Sequence, residues 1–393
     1  MTSTNSPTKK RIKLGVIADE FFDLKLGRMG GFGWATRQVA ECFGKDPSLG
    51  VDLVFLTGEL RAENGQEEAV VHGARLIFRQ ASRFANLRRV RDERIDLLLT
   101  IDYNLDYRFF CRALPRVPVV VWVRDPRPPV DMAKINTLRI PGAEHVQPQG
   151  IEPLDCTSLG GVVRESRWFR RPVFFSTPAP HLADKLEGTY GIDPPELFFL
   201  PNIINLDPGN VVKHERPRVV FLARLDPYKR PWLFVELARQ FPDVEFLFLG
   251  QSHFTGEGAW EPKELPPNVR LMGHIDEEEK LRVLSSAWAL INTSIHEGLA
   301  VSFLEALACE TPLLSCQNPG GVVSRFGIYT GRWDGHGLEA LPTFADGLNR
   351  LLHDEEMRER LGREGRKWVQ ATHTRARFLD SFRELAARAG IAQ

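Results

Sequence analysis

Short apolar runs recur along the chain and alternate with stretches of helical spacing. The first is R-I-K-L-G-V-I-A at 11–18, followed by V-D-L-V-F-L, I-D-L-L-L-T and the almost wholly apolar V-P-V-V-V-W-V at 117–123. A run with no polar alternation implies a strand buried on both faces, as in a parallel sheet. P-V-F-F-S-T and L-F-F-L-P-N close the first half. V-V-F-L-A, V-E-F-L-F-L-G, V-R-L-M-G-H-I, A-L-I-N-T-S and T-P-L-L-S-C supply the second. Apolar residues at helical spacing predict helices over 35–43, within 79–94, over 231–241 and 276–288, and from 301 to about 309. A helical tail over 355–388 breaks around 371–374. The stretch 141–171 mixes Gly, Pro and Gln with basic and aromatic residues and predicts an irregular insertion. Strands and helices alternating at these lengths give an α/β fold of two doubly wound parallel-sheet domains. The polar, proline-containing segment 207–216 is the linker, separating 1–206 from 217–373.

A length of 393 residues agrees with two domains at about 150 residues each. Basic and acidic residues number 51 each, so the formal net charge is zero, which argues against wholesale nucleic-acid binding. The five cysteines are scattered without a C-x-x-C pair, which predicts reduced thiols and neither a zinc site nor a disulfide framework. The N-terminus is polar and no apolar run approaches the ~20 residues a membrane span needs. A soluble cytoplasmic protein is expected. The arginine-rich run 79–94 reads as an amphipathic surface helix, with contact to an anionic membrane or a phosphorylated ligand as the alternative.

The candidate chemistry concentrates in two stretches. One is S-I-H-E-G-L-A-V-S-F-L-E, in which Glu297 and Glu305 stand eight positions apart, the first in a turn and the second early in a helix. Carboxylates there accept hydrogen bonds from hydroxyl groups, while free N–H groups at a helix start attract anions. The other is the loop R-L-D-P-Y-K-R after V-V-F-L-A, which carries Arg224 and Lys229, a forked and a point cation suited to phosphate. Gly27, Gly30, Gly31 and Gly33 precede the first helix and suit close backbone approach to a ligand. A dinucleotide fingerprint is the competing reading there, weakened by Thr36 at the third glycine position and by the long gap from the first strand. Arg124, Asp125 and Arg127 follow a buried strand and are candidates for the cleft or for an ion pair in a proline-stiffened turn.

Together, R-L-D-P-x-K, S-x-H-E-G with its E-x7-E pair and the E-A-L-A-C-E-T-P run resemble the nucleotide-sugar half of a GT-B glycosyltransferase of the retaining family 4 type. The resemblance covers about 217–312 and implies two Rossmann-like domains facing a central cleft, with the last helix, about 374–393, packed back on the first domain. It implies transfer of a hexose-type sugar, with retention, from a nucleotide-diphosphate sugar to a glycan, lipid-linked or small-molecule acceptor. Arg224 and Lys229 would hold the diphosphate, Glu297 the transferred sugar and Glu305 the ribose. His296, Gly298, Leu299 and Ala300 would line the donor site, and Gly250, His274 and Ile275 would hold the base. Gly30 and Gly31 would cover the donor phosphate, and Arg124, Asp125 and Arg127 would lie on the acceptor side. No D-x-D triplet occurs, so no metal or cofactor is expected beyond the nucleotide sugar as co-substrate. Contact with the inner face of a membrane would be peripheral. Three positions depart from the family pattern: Arg230 and Ile203 stand where it carries glycine, and no histidine follows the strand ending at Val123. A GT-B nucleotide-sugar epimerase and a non-catalytic nucleotide-sugar-binding partner are the alternatives.

Overall fold

The computed structural model describes residues 11–21, 30–61, 66–101, 107–151, 157–192, 196–205, 207–262 and 264–391. Their order begins β1 (Ile12–Ile17), α1 (Gly31–Gly44), β2 (Val51–Arg61), β3 (Glu68–Val71), β4 (Ala74–Arg79), α2 (Arg83–Asp92), β5 (Leu97–Thr100), α3 (Tyr107–Ala113) and β6 (Val119–Trp122). It continues α4 (Pro129–Ile135), α5 (Thr157–Phe169), β7 (Val173–Thr177), α6 (Leu186–Tyr190), β8 (Leu197–Phe199), β9 (Arg218–Leu222), α7 (Pro231–Gln240), β10 (Glu245–Leu249) and β11 (Val269–Leu271). The remainder is α8 (Glu277–Ser286), β12 (Ala289–Asn292), α9 (Val301–Ala308), β13 (Leu313–Ser315), α10 (Val322–Phe326), β14 (Gly327–Tyr329), α11 (Leu341–His353), α12 (Glu355–Thr372) and α13 (Arg375–Arg388).

Two compact units result. The first comprises Met1–Pro126, Leu154–Ile203 and Arg375–Gln393, the second Arg127–Pro153 and Ile204–Thr374. In the first unit the strands order β3-β4-β2-β1-β5-β6-β7-β8, parallel except for the β3–β4 pair. β5 and β6 are buried at every position, as their unbroken apolar runs require. The order moves one way from β1 to β2 and the other way from β4 onward, so right-handed crossovers put α1 on one face and α2, α3 and α5 on the opposite one. α13 closes the α1 side: Phe43 meets Phe378 and Phe382 with ring centroids 6.0 and 4.9 Å apart, and Phe378 packs on Trp122 at 5.8 Å.

Two expectations change in this unit. α1 begins at Gly31 instead of residue 35, because the glycines there enter the helix. Within 141–171, expected to be irregular, residues 157–169 form α5. Gly160 and Gly161 hide that helix from propensity. Packing explains Gly161, where a Cβ would lie 2.9 Å from Arg108 Nε.

The second unit holds a fully parallel sheet, β11-β10-β9-β12-β13-β14. Its core is aromatic: Phe234 lies 4.9 Å from Phe246 and 4.7 Å from Phe248, both edge-on. Such pairs add about 0.5–1.5 kcal/mol each beyond the area they bury. The segment 127–153, which the sequence placed in the first half, clusters here because Ile135, Leu138 and Ile140 fill this core. Gln149 also accepts nothing less than a main-chain tie, its amide donating to Gly258 O at 2.8 Å. The segment 207–216, expected as a linker, lies against the same unit, with Lys213 Nζ donating to Cys309 O at 3.1 Å and Trp288 Nε1 to His214 O at 2.8 Å.

Candidate functional site

β9 and β12 are neighbours in the sheet, yet the chain leaves β9 in one direction, to β10, and returns to β12 on the other side. Strand order reverses at that point, and ligands of open parallel sheets bind beyond the carboxyl ends of such strands. The loop 223–230 leaves β9 there and the turn 293–300 leaves β12. Arg224, Lys229 and Glu297 are therefore brought to one place by topology.

Lys229 closes the short turn Pro227–Lys229, and its Nζ lies 2.7 Å from Glu297 Oε1. The same oxygen accepts from Ser294 Oγ at 2.6 Å and Asn292 Nδ2 at 3.1 Å. All three donors converge on Oε1, so among the described residues Oε2 accepts no hydrogen bond, and it is not sealed from solvent. Burial pushes the Glu297 carboxyl up, but Lys229 and the Ser294 and Asn292 hydrogen bonds outweigh it and hold the group below the usual carboxylate range. One carboxylate oxygen is anchored and the other faces outward. That arrangement presents a fixed acceptor for a hydroxyl group.

Arg224 is more open, its side chain 38% exposed, with Nε 3.1 Å from Oδ2 of the buried Asp226. Asp226 also accepts the His253 amide at 3.0 Å, which fixes the carboxylate that aims Arg224. Each cation thus has its own carboxylate, and attraction for a phosphate rests on directed N–H groups more than on net charge. Gly250 makes room for the loop: its φ is 139°, and a Cβ there would lie 2.0 Å from Ala223 O, just ahead of Arg224. Its amide donates to Gly273 O at 2.8 Å, which brings the exposed His274 and half-buried Ile275 to the same edge.

Gly298, Leu299 and Ala300 are buried and lead into α9. Ala300 is the N-cap and supplies no side-chain cap, so the first-turn amides keep their capacity for an anion. His296 is 2% exposed, with Nδ1 3.8 Å from Asp131 Oδ2, while Arg332 Nη2 holds Asp131 Oδ1 at 2.7 Å. Glu305 does not join the Glu297 cluster. It is 4% exposed and lies 2.6 Å from Lys280 Nζ on α8, which also reaches Glu277 at 3.1 Å. Burial pulls Lys280 down, but Glu305 and Glu277 outweigh it and raise the group above the ordinary lysine value.

Arg230 is the departure that structure explains. Its backbone is left-handed (φ 48°, ψ 53°), the conformation a glycine would supply, and its side chain is fully buried. The guanidinium donates to Thr293 O at 2.7 Å, Trp333 O at 2.9 Å and Ser294 O at 3.2 Å, and lies 3.2 Å from Cys316 Sγ. Thr293 Oγ1 returns a bond to Lys229 O at 2.7 Å. Arg230 therefore braces the Lys229 loop against the Glu297 turn.

The first unit separates the other candidates. Gly30 caps α1, but Glu20 already occupies that helix start, its Oε2 accepting the Gly33 amide at 3.0 Å. A Cβ on Gly30 would lie 2.8 Å from the same oxygen, whereas Gly31 meets nothing. Gly27 lies outside the described residues. Arg124, Asp125 and Arg127 are not one group. Arg124 is 7% exposed and stacks on Trp122 at 4.4 Å, whereas Arg127 belongs to the second unit and lies 5.1 Å from the Tyr228 ring. Burial pushes the Arg124 guanidinium down to about 9, Asp125 and Glu20 opposing, and its Nη1 has no hydrogen-bond partner. A buried, under-partnered cation costs stability, so Arg124→Leu is expected to stabilise the unliganded protein by about 1–2 kcal/mol. Thermal unfolding checks this, and a lower Tm for the variant would refute it.

Comparison with known proteins agrees with this geometry. Residues 203–368 match the family model described as glycosyl transferases group 1. Sucrose-phosphate synthase from Thermosynechococcus elongatus superposes with a TM-score of 0.69 at 16% identity, covering 98% of this chain and 100% of the other. The Anabaena HepE protein in complex with UDP-glucose gives 0.66 at 13% identity, covering 96% and 100%. The chain has the GT-B fold. Among curated proteins, this GT-B chain is 25% identical over 280 residues to trehalose synthase of Rubrobacter xylanophilus, 59% of the chain and 66% of that relative. The matched stretches span 66%, 28% and 46% of the three curated relatives' lengths.

Sequence reasoning passed over Asp226, Asn292, Ser294, Asp131, Lys280 and Glu20. Asp226 lies inside R-L-D-P-x-K and could have been found as the nearest acid to Arg224. Lys280 sits in D-E-E-E-K and reads as a solvated face until the fold turns it inward.

Proposed function

We propose that the protein is a glycosyltransferase that moves a hexose-type sugar from a nucleotide-diphosphate sugar to a glycan, lipid-linked or small-molecule acceptor, with retention. What carries this reading is the meeting of Lys229, aimed by Glu297, with the Arg224 loop at the β9–β12 switch point. As the glycosidic bond breaks, negative charge grows on the distal phosphate, and cations already fixed there favour the transition state over the ground state. Arg224 forks onto the diphosphate, and Lys229 keeps N–H donors beyond the one given to Glu297. These side chains take the role a divalent metal plays elsewhere. Glu297 Oε2 accepts a hydroxyl of the transferred sugar and Glu305 the ribose, loosening from Lys280 to do so. The uncapped α9 amides support a phosphate in the same crevice. The UDP and UDP-glucose of the HepE structures make a uridine nucleotide the first donor to try.

Thermal-shift screening against UDP-, GDP-, ADP- and dTDP-sugars tests the reading. A true donor at a hundred times its Kd should stabilise the protein by about 2.7 kcal/mol. The matching nucleotide sugar should also be hydrolysed slowly without acceptor. No shift with any of them, or a shift undiminished in Arg224→Ala, would reject the assignment.

A further inference from the structure

The first unit carries a second distinctive surface, on the edge away from its strand carboxyl ends. α2, α3 and α5 each return to the amino end of the next parallel strand, so all three finish on that edge. Two arginines tie the ends together: Arg91 Nε donates to Ala113 O at 3.1 Å, and Arg171 Nη1 to Cys111 O at 2.5 Å. The exposed side chains there are strongly basic, with Arg94 beyond α2, Arg112 and Arg116 at the end of α3, and Arg164, Arg167 and Arg170 at the end of α5. Glu165 is already taken, 2.6 Å from both Arg108 and Arg112. Arg94, Arg116, Arg164, Arg167 and Arg170 have no acidic partner among the described residues. Beside them Trp168 is 90% exposed and Phe169 47%.

We infer that this edge docks on an anionic lipid bilayer. Trp168 and Phe169 enter the headgroup region, where an amphipathic ring is most stable, and the arginines meet lipid phosphates. No helix among the described residues is long and apolar enough to cross a membrane, so the contact lies on the surface. A nucleic-acid strand is the competing polyanion, and the zero net charge of the chain disfavours it. The inference does not depend on the donor assignment, since none of these residues belongs to the strand-end site.

Flotation of the full chain with phosphatidylcholine vesicles, with and without phosphatidylglycerol, tests it. Binding is expected only with phosphatidylglycerol, and should weaken as salt rises. The triple variant Arg164→Gln, Arg167→Gln, Arg170→Gln should lose on the order of a hundredfold in partitioning. Trp168→Ala should lose severalfold while keeping the salt dependence. Thermal unfolding of both variants should match the wild type, since all four side chains are exposed. Equal binding to both vesicle types, wild-type partitioning by the triple variant, or retention on RNA without retention on phosphatidylglycerol would each overturn it. Nucleotide-sugar thermal shifts would be unaffected by any of these outcomes.

Discussion

Lys229→Ala is expected to lower donor turnover by two to three orders of magnitude, the range typical for losing one fixed charge aimed at a developing anion. It should also destabilise the unliganded protein. Lys229 and Glu297 have side chains only 17% and 9% exposed, and removing one partner of such a pair strands the other, at a cost of about 3 kcal/mol. The two effects separate in the double variant. Adding Glu297→Gln to Lys229→Ala removes the stranded charge and should restore most of the stability, while turnover stays low. The pH dependence gives an independent sign. In the wild type the Glu297 carboxyl is held below its ordinary value, so its stabilising contribution is present above the unfolded value and is lost as pH falls through the folded one. In Lys229→Ala, burial is opposed only by Ser294 and Asn292, and the carboxyl moves up. A raised acid binds protons in the folded state first, so that variant should gain stability on mild acidification where the wild type does not. Wild-type hydrolysis of the nucleotide sugar by Lys229→Ala would remove the residue from the chemistry.

How much of this was legible beforehand depended on whether a feature is local. Strand and helix alternation is local, and the unbroken apolar runs at 117–123 and 289–292 led directly to β6 and β12. The two site loops were legible as motifs, but their meeting depends on sheet order, which no single segment encodes. Glu297 and Glu305 show the limit: spacing put both near one helix start, and packing sent the first to Lys229 and the second to Lys280. Arg124 and Arg127 are three positions apart, yet the unit boundary falls between Pro126 and Arg127, so they serve different cores. α5 was missed because two glycines lower helix propensity while close packing against α3 requires at least one of them to stay small. Exposure of Trp168 was equally invisible, because R-W-F-R-R reads the same whether its aromatics point inward or out.

Arg230→Ala should cost about 3–5 kcal/mol, the largest stability effect expected from any single change in this site. The guanidinium is wholly buried and satisfies three main-chain carbonyls, at Thr293, Ser294 and Trp333, that have no water to turn to once it is gone. Alanine also leaves a void the length of the side chain. Glycine separates side-chain loss from backbone strain. The residue sits at φ 48°, where a Cβ costs roughly 1–2 kcal/mol, so Arg230→Gly should be more stable than Arg230→Ala by about 1 kcal/mol and still well below the wild type. Arg230→Lys keeps the charge but cannot fork to several carbonyls, and should fall nearer to alanine than to arginine. Because Thr293 links this brace to the Lys229 carbonyl, turnover should fall with stability in the alanine variant. Saturating nucleotide sugar should partly recover the fold by mass action. Equal unfolding temperatures for the wild type and Arg230→Ala would mean that the loop and the turn are held together by something other than this side chain.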